Sequence, residues 1–168
     1  FTNAPKPFST TNFTLPASWP GRCEDKRQGK PRVAASAIVL GDSDEQKARW
    51  LPRLASGEAI ATLAVDEGPS HDPAKIETSV SDGKLSGTKA FVHEAHGADL
   101  FVVAAKDGLY LVEKGDGVAL TTRKLTDQRS HADVTFDGAA AEKLANGGDI
   151  LLDDVLDRAR VLTAAEML

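Results

Sequence analysis

The sequence has a single cysteine, Cys23, so no internal disulfide can form and a reducing, cytoplasmic setting is expected. No apolar run approaches the roughly 20 residues that cross a bilayer, which argues against a membrane-spanning helix. The N-terminus lacks a charged stretch followed by an apolar one, so no secretory signal is expected. Basic residues are in deficit: 20 Lys and Arg stand against 25 Asp and Glu, a net charge of −5, and nucleic acid is not an expected partner. Also missing are a glycine-rich phosphate loop, a Walker motif, a nucleophile elbow and an internal repeat. What remains, 41% hydrophobic and 27% charged residues over 168 positions, suffices for one domain with a core and is short for two.

Residues 1–32 stand apart from the rest. They hold five of the eight prolines, show no apolar period and read as an extended or disordered arm. Phe1, Phe8, Phe13 and Trp19 are its apolar anchors, and RCEDKRQGK (22–30) reads as solvated linker. A helical lead-in is expected over 33–58. VAASAIVLG suggests a short apolar helix closed by Gly41, and Ser43 with Gln46 has capping-box spacing. Ala48, Leu51, Leu54 and Ala55 are expected on the buried face of the next helix. Pro52 predicts a kink or a fresh start within it, and Gly57 a cap at its end.

A β-domain is expected over 59–147. AIATLAV (59–65) reads as a buried strand, and IETSVSDGKLSGTKAFV (76–92) as a hairpin turning at Asp82-Gly83. DLFVVAAKDGLYLVEK (99–114) repeats the pattern around Asp107-Gly108, and GVALTTR (117–123) and HADVTFDG (131–138) supply further strands. Short strands on such turns predict an antiparallel barrel or sandwich. The fold class is mainly β with flanking helices, α+β. Helical spacing returns over 148–168 through Leu152, Val155, Leu156 and Leu162, and the pattern stops at Met167-Leu168 without a terminating signal.

His93, Glu94 and His96 invite a metal reading. The helical zinc motif sets its histidines four apart on one face, whereas these are three apart in a strand-to-turn segment, where side chains follow a period of two. They are expected to diverge, and nothing in the spacing of His71, His131 or Cys23 supplies a third ligand. Histidines at a strand end are the favoured reading, and no metal is expected.

Several stretches, in order, resemble the acyl-CoA dehydrogenase family from about residue 33 to 168. EQKARWLPRLASGE (45–58) is similar to the helix and loop entering that family's middle β-domain, and ATLAVDEGPSHDPAKIETSV (61–80) to its strand, flavin-contacting loop and next strand. LSGTKAFVHEAHGADLFVVAA (85–105) resembles the hairpin whose aromatic covers the flavin ring. VTFDGAAAEKL (134–144) and LDRARVLTAAEML (156–168) resemble the last strand and the start of the next helix. The resemblance implies a barrel-like middle domain, FAD as cofactor and an acyl-CoA thioester as substrate. In the family's reaction a carboxylate removes the α-proton while a hydride passes from the β-carbon to the flavin.

The departures matter as much. The family loop Thr-Glu-Pro-Gly-x-Gly-Ser-Asp stands here as VDEGPSHD (65–72), placing Val65 at the threonine, Ser70 at the second glycine and His71 at the serine. The aromatic-Ile-Thr-Asn stretch becomes Phe91 to Glu94, so His93 holds the place of a threonine that would bond the flavin near N5. The cofactor contacts implied are Val65, Asp66, Ser70, His71, Phe91, Val92 and His93, with main-chain N–H groups at 65 or 93 able to serve where side chains differ. Asp66 and Glu67 resemble an acid/base pair, but neighbours in a strand face opposite ways, so at least one is expected to be structural. Some members carry the base where Ala159 stands, and Glu166 reads as a solvated helix residue, so no catalytic residue is assigned. The expected whole is a fragment of such a dehydrogenase, inactive alone and binding FAD weakly if at all. It would be prone to self-association, with its electron-transfer partner unidentified. The alternative is a non-catalytic structural or interaction subunit that kept the β-domain and lost the flavin.

Overall fold

Strand β4 (Leu100–Ala105) is buried at every residue, and the fold is arranged around it. In the computed structural model, which describes residues 31–41, 44–125, 130–145 and 149–166, two four-stranded sheets lie face to face under a helical layer. The first sheet has the order β1-β4-β5-β8, from β1 (Ala61–Ala64), β5 (Gly108–Glu113) and β8 (Glu142–Lys143). The second runs β2-β3-β7-β6, from β2 (Ser79–Ser81), β3 (Lys84–His93), β6 (Val118–Lys124) and β7 (Ser130–Ala140). Helices α1 (Pro31–Leu40), α2 (Asp44–Ser56) and α3 (Asp149–Glu166) complete the described chain.

Alternation along β4 builds two cores at once. Leu100, Val102 and Ala104 join Ala37, Ile38, Trp50, Val155 and Leu156 beneath the helices, while Phe101, Val103 and Ala105 join Val92, Val134 and Phe136 between the sheets. Strand β5 divides likewise, Leu109 and Leu111 on one side and Tyr110 and Val112 on the other. The fold is thus three layers, helices over sheet over sheet, and mixed α+β as the sequence predicts.

Of the barrel or sandwich expected, the sheets form the sandwich, with no closed barrel among the described residues. One feature differs from the antiparallel expectation: β1 pairs with β4 in parallel, Ala61 opposite Leu100. The strands from β1 to β4 are separated by a loop, a 3-10 turn at Pro73–Lys75 and the β2–β3 hairpin, which gives the chain room to return in the same direction. The hairpin itself turns as read: Asp82 and Gly83 have φ of 51° and 72°, the two positive values a type I′ turn requires.

Helix α2 runs unbroken through Pro52, with no fresh start. Pro52 and Ala48, whose carbonyl its missing N–H would have met, are both exposed. The buried residues of α2 are Gln46 and Trp50 rather than Ala48 and Ala55, which are exposed. The Gln46 amide nitrogen donates to Glu142 Oε1 at 2.8 Å and to the Lys143 carbonyl at 3.0 Å, fastening α2 to β8. Ser43, the other half of the expected capping box, lies outside the described residues, as do the arm over residues 1–30, Cys23 and the last two residues.

Candidate functional site

Strand β1 and the loop after it meet the end of β3 through three hydrogen bonds. The Ala90 N–H donates to the Asp66 carbonyl at 2.7 Å, the Lys89 ammonium to the Val65 carbonyl at 2.9 Å, and the Thr62 hydroxyl to the His93 carbonyl at 2.7 Å. Val65, Asp66, Phe91, Val92 and His93 therefore lie in one region. His71 reaches it through its Nδ1, 2.7 Å from Asp66 Oδ1, and Ser70 is exposed beside it.

Their side chains divide sharply. Val65 is 7% and Val92 2% exposed, each within a different core, so only their main chains can touch a ligand. Phe91 is 38% exposed and turned out of the sheet. It sits at a β-bulge, where the register of β3 against β7 shifts between Lys89 and Val92, and its φ is 53°. His93 lies opposite His131, their rings edge to face at 5.0 Å. The Glu94 N–H bonds the Ser130 carbonyl, so the preceding pair, His93 and His131, is of the non-hydrogen-bonded kind. The His93 peptide groups are accordingly turned away from β7, toward the side where Thr62 bonds the carbonyl.

Asp66 and Glu67 follow β1 as loop residues rather than strand neighbours, and they separate as expected for a different reason. Glu67 accepts the Thr78 hydroxyl at 2.5 Å, the N–H groups of Glu77 and Thr78 at 2.7 and 2.9 Å, and the Lys89 ammonium at 2.8 Å. Burial alone would raise its pKa, but the hydrogen bonds, that from Lys89 foremost, hold it at about 2. Lys89 is wholly buried and its pKa is pushed down by that burial, against the pull of Glu67. A carboxylate saturated in this way is a structural anchor and not an acid or base.

The histidines of the metal reading part company. His96 Nε2 lies 3.0 Å from the Thr122 hydroxyl while His93 faces His131, and among the described residues no group of three His, Cys, Asp or Glu could hold an ion. Ala159 lies half-buried on α3. Two residues absent from the sequence reading stand at the site. Asp133 accepts the Phe91 N–H, and Arg123 pairs with Asp133 while its guanidinium lies 5.5 Å from the Phe91 ring. The alternation of HADVTFD places Asp133 outward, but its partner on β3 depends on a bulge that no local pattern announces.

No protein-family model matches the chain. It is 32% identical over 149 residues to the acyl-CoA dehydrogenase FadE28 of Mycobacterium tuberculosis, covering 84% of this chain and 42% of that protein. A second dehydrogenase of that organism, FadE27, is 30% identical over 125 residues. Among solved structures, acyl-CoA dehydrogenase from Geobacillus kaustophilus superposes with a TM-score of 0.67 at 28% identity, over 76% of this chain and 40% of that one. Glutaryl-CoA dehydrogenase from Mycobacterium smegmatis, in complex with FADH2, gives 0.64 at 26% identity over 76% and 37%. The chain spans less than half the length of each of these four relatives. Together with the helix-flanked paired sheets, these likenesses establish that the chain belongs to the acyl-CoA dehydrogenase family, within its middle β-domain and adjoining helices.

Proposed function

We propose that this chain carries one wall of an FAD site in an enzyme that dehydrogenates an acyl-CoA thioester between its α and β carbons, a step of fatty-acyl metabolism in the cytoplasm. The observation that carries the reading is Phe91, an aromatic ring held outward on a strained bulge beside the loop after β1. Flavin, when bound, supplies the redox chemistry. The chain supplies surfaces: the Phe91 ring for an aromatic face, the His93 peptide groups turned toward the Thr62 side, and exposed Ser70 and His71 for polar contacts. Val65 and Val92 contribute only main chain, and Asp66 holds His71. No acid–base residue is assigned to this chain, because Glu67 is saturated by its partners and Ala159 has no proton-accepting group. We therefore expect no dehydrogenase activity from these 168 residues alone.

Titrating the chain with FAD, followed by tryptophan and flavin fluorescence, tests the reading. Saturable binding on the order of micromolar is expected, about 8 kcal/mol. The absence of binding at high FAD concentration overturns it. The second reading, a non-catalytic module that has lost the flavin, is favoured by the His93–His131 ring contact and the His71–Asp66 pair, which engage side chains at positions where the family has threonine and serine. Replacing His93 with Thr and His71 with Ser separates the two: tighter FAD binding supports an eroded site, and no change supports the module.

A further inference from the structure

Phe91 occupies a conformation that its residue type avoids. A bulky side chain at φ 53° is strained and persists only where its surroundings over-determine it. Burial does not account for it, because the ring stays 38% exposed. Hydrogen bonding does. The amides at the bulge bond groups outside the β7 backbone: Ala90 donates to the Asp66 carbonyl at 2.7 Å, and Phe91 to Asp133 Oδ1 at 3.2 Å. Asp133 Oδ2 in turn accepts Arg123 Nε at 2.8 Å, and the Arg123 guanidinium flanks the Phe91 ring at 5.5 Å. Asp133 is on β7 and Arg123 on β6, so three adjacent strands and the loop after β1 converge on a single exposed aromatic residue.

We propose that Asp133 is a positioning residue for the candidate flavin site, its carboxylate clamping the Phe91 amide with Arg123 as anchor, so that the bulge presents the Phe91 ring as a fixed wall for a planar aromatic ligand. The ligand rests on the FAD reading above, whereas the clamp does not. A ring on an unclamped bulge would sample other directions and lose that order on binding, which weakens affinity without removing any contact.

The test measures amide hydrogen exchange at Phe91 by NMR and, in parallel, the FAD dissociation constant, in wild type, Asp133→Ala, Asp133→Asn and Arg123→Met. Loss of a hydrogen bond to a charged group predicts that Asp133→Ala speeds Phe91 exchange and weakens FAD binding each by about tenfold or more, with the β4 amides unchanged. Asp133→Asn keeps a carbonyl acceptor and is expected to restore both to within about threefold. Unchanged Phe91 exchange in Asp133→Ala overturns the clamp, and released exchange with unchanged FAD affinity overturns its role at the site. Should Asp133→Ala not fold, faster Phe91 exchange in Arg123→Met supports the anchor and unchanged exchange overturns it. A wild-type chain that does not bind FAD overturns the flavin reading, and the exchange comparison still decides the clamp.

Discussion

Glu67 and Lys89 form the ion pair on which the site loop rests. Lys89 has no exposed surface, and its other partner is the Val65 carbonyl. Replacing Glu67 with Gln leaves a buried ammonium without its counter-charge, and a loss of roughly 3–5 kcal/mol in urea denaturation is expected. The pair also sets a pH dependence. The Glu67 pKa is about 2 in the folded protein against 4.5 for the free side chain, so its stabilisation is fully present above about pH 4.5 and is lost as pH falls toward 2. The urea midpoint should fall through that window, and the fall should be shallower when Glu67→Gln is combined with Lys89→Met. An equal slope in both proteins would show that other carboxylates govern the acid limb.

The β2–β3 hairpin ties this anchor to the second sheet, and one glycine makes the approach possible. Gly87 on β3 has φ 153°, and a Cβ there would lie 2.5 Å from the Thr78 hydroxyl oxygen and 3.0 Å from its Cα. Thr78 bonds Glu67, so Gly87→Ala displaces the carboxylate network along with the strand. A destabilisation of about 1–3 kcal/mol from overpacking is expected, read from the thermal midpoint. Thr78→Ser is not expected to relieve it, because the hydroxyl oxygen, Cβ and Cα that an added methyl would meet are all kept. At this scale the turn at Asp82-Gly83 was legible in the sequence, because residue type dictates positive φ locally. The buried face of α2 was legible only at Leu51 and Leu54, which pack against the core. Gln46 is buried through partners 96 and 97 residues away, which helical periodicity cannot register.

At the scale of the whole molecule, β4 and β5 each contribute to both cores, so the helical layer and the second sheet cannot lose stability independently. Leu100→Ala opens a cavity beneath the helices and Phe101→Ala one between the sheets. Each is expected to cost about 2–5 kcal/mol and to shift a single cooperative transition. Circular dichroism at helical wavelengths, for the helical layer, and the NMR amide signals of β3 and β7, for the second sheet, should give coincident midpoints in both variants. Two separated transitions in either variant would show that the layers unfold as distinct units.

Local chemistry in the sequence determined the turn at Asp82-Gly83, the alternation that assigns β4 and β5 a face to each core, the glycines that follow α1 and α2 and the order of segments shared with acyl-CoA dehydrogenases. Each of these follows from neighbours in the chain: φ preference, period-two or helical spacing, and motif order. Only the tertiary structure decided the parallel pairing of β1 with β4, the open sheets in place of a barrel, the fate of Glu67, and the convergence of Phe91, Asp133 and Arg123. Those depend on groups from different strands meeting in space, and on a bulge whose strain is tolerable only once Asp133 and the Asp66 carbonyl are there to bond its amides.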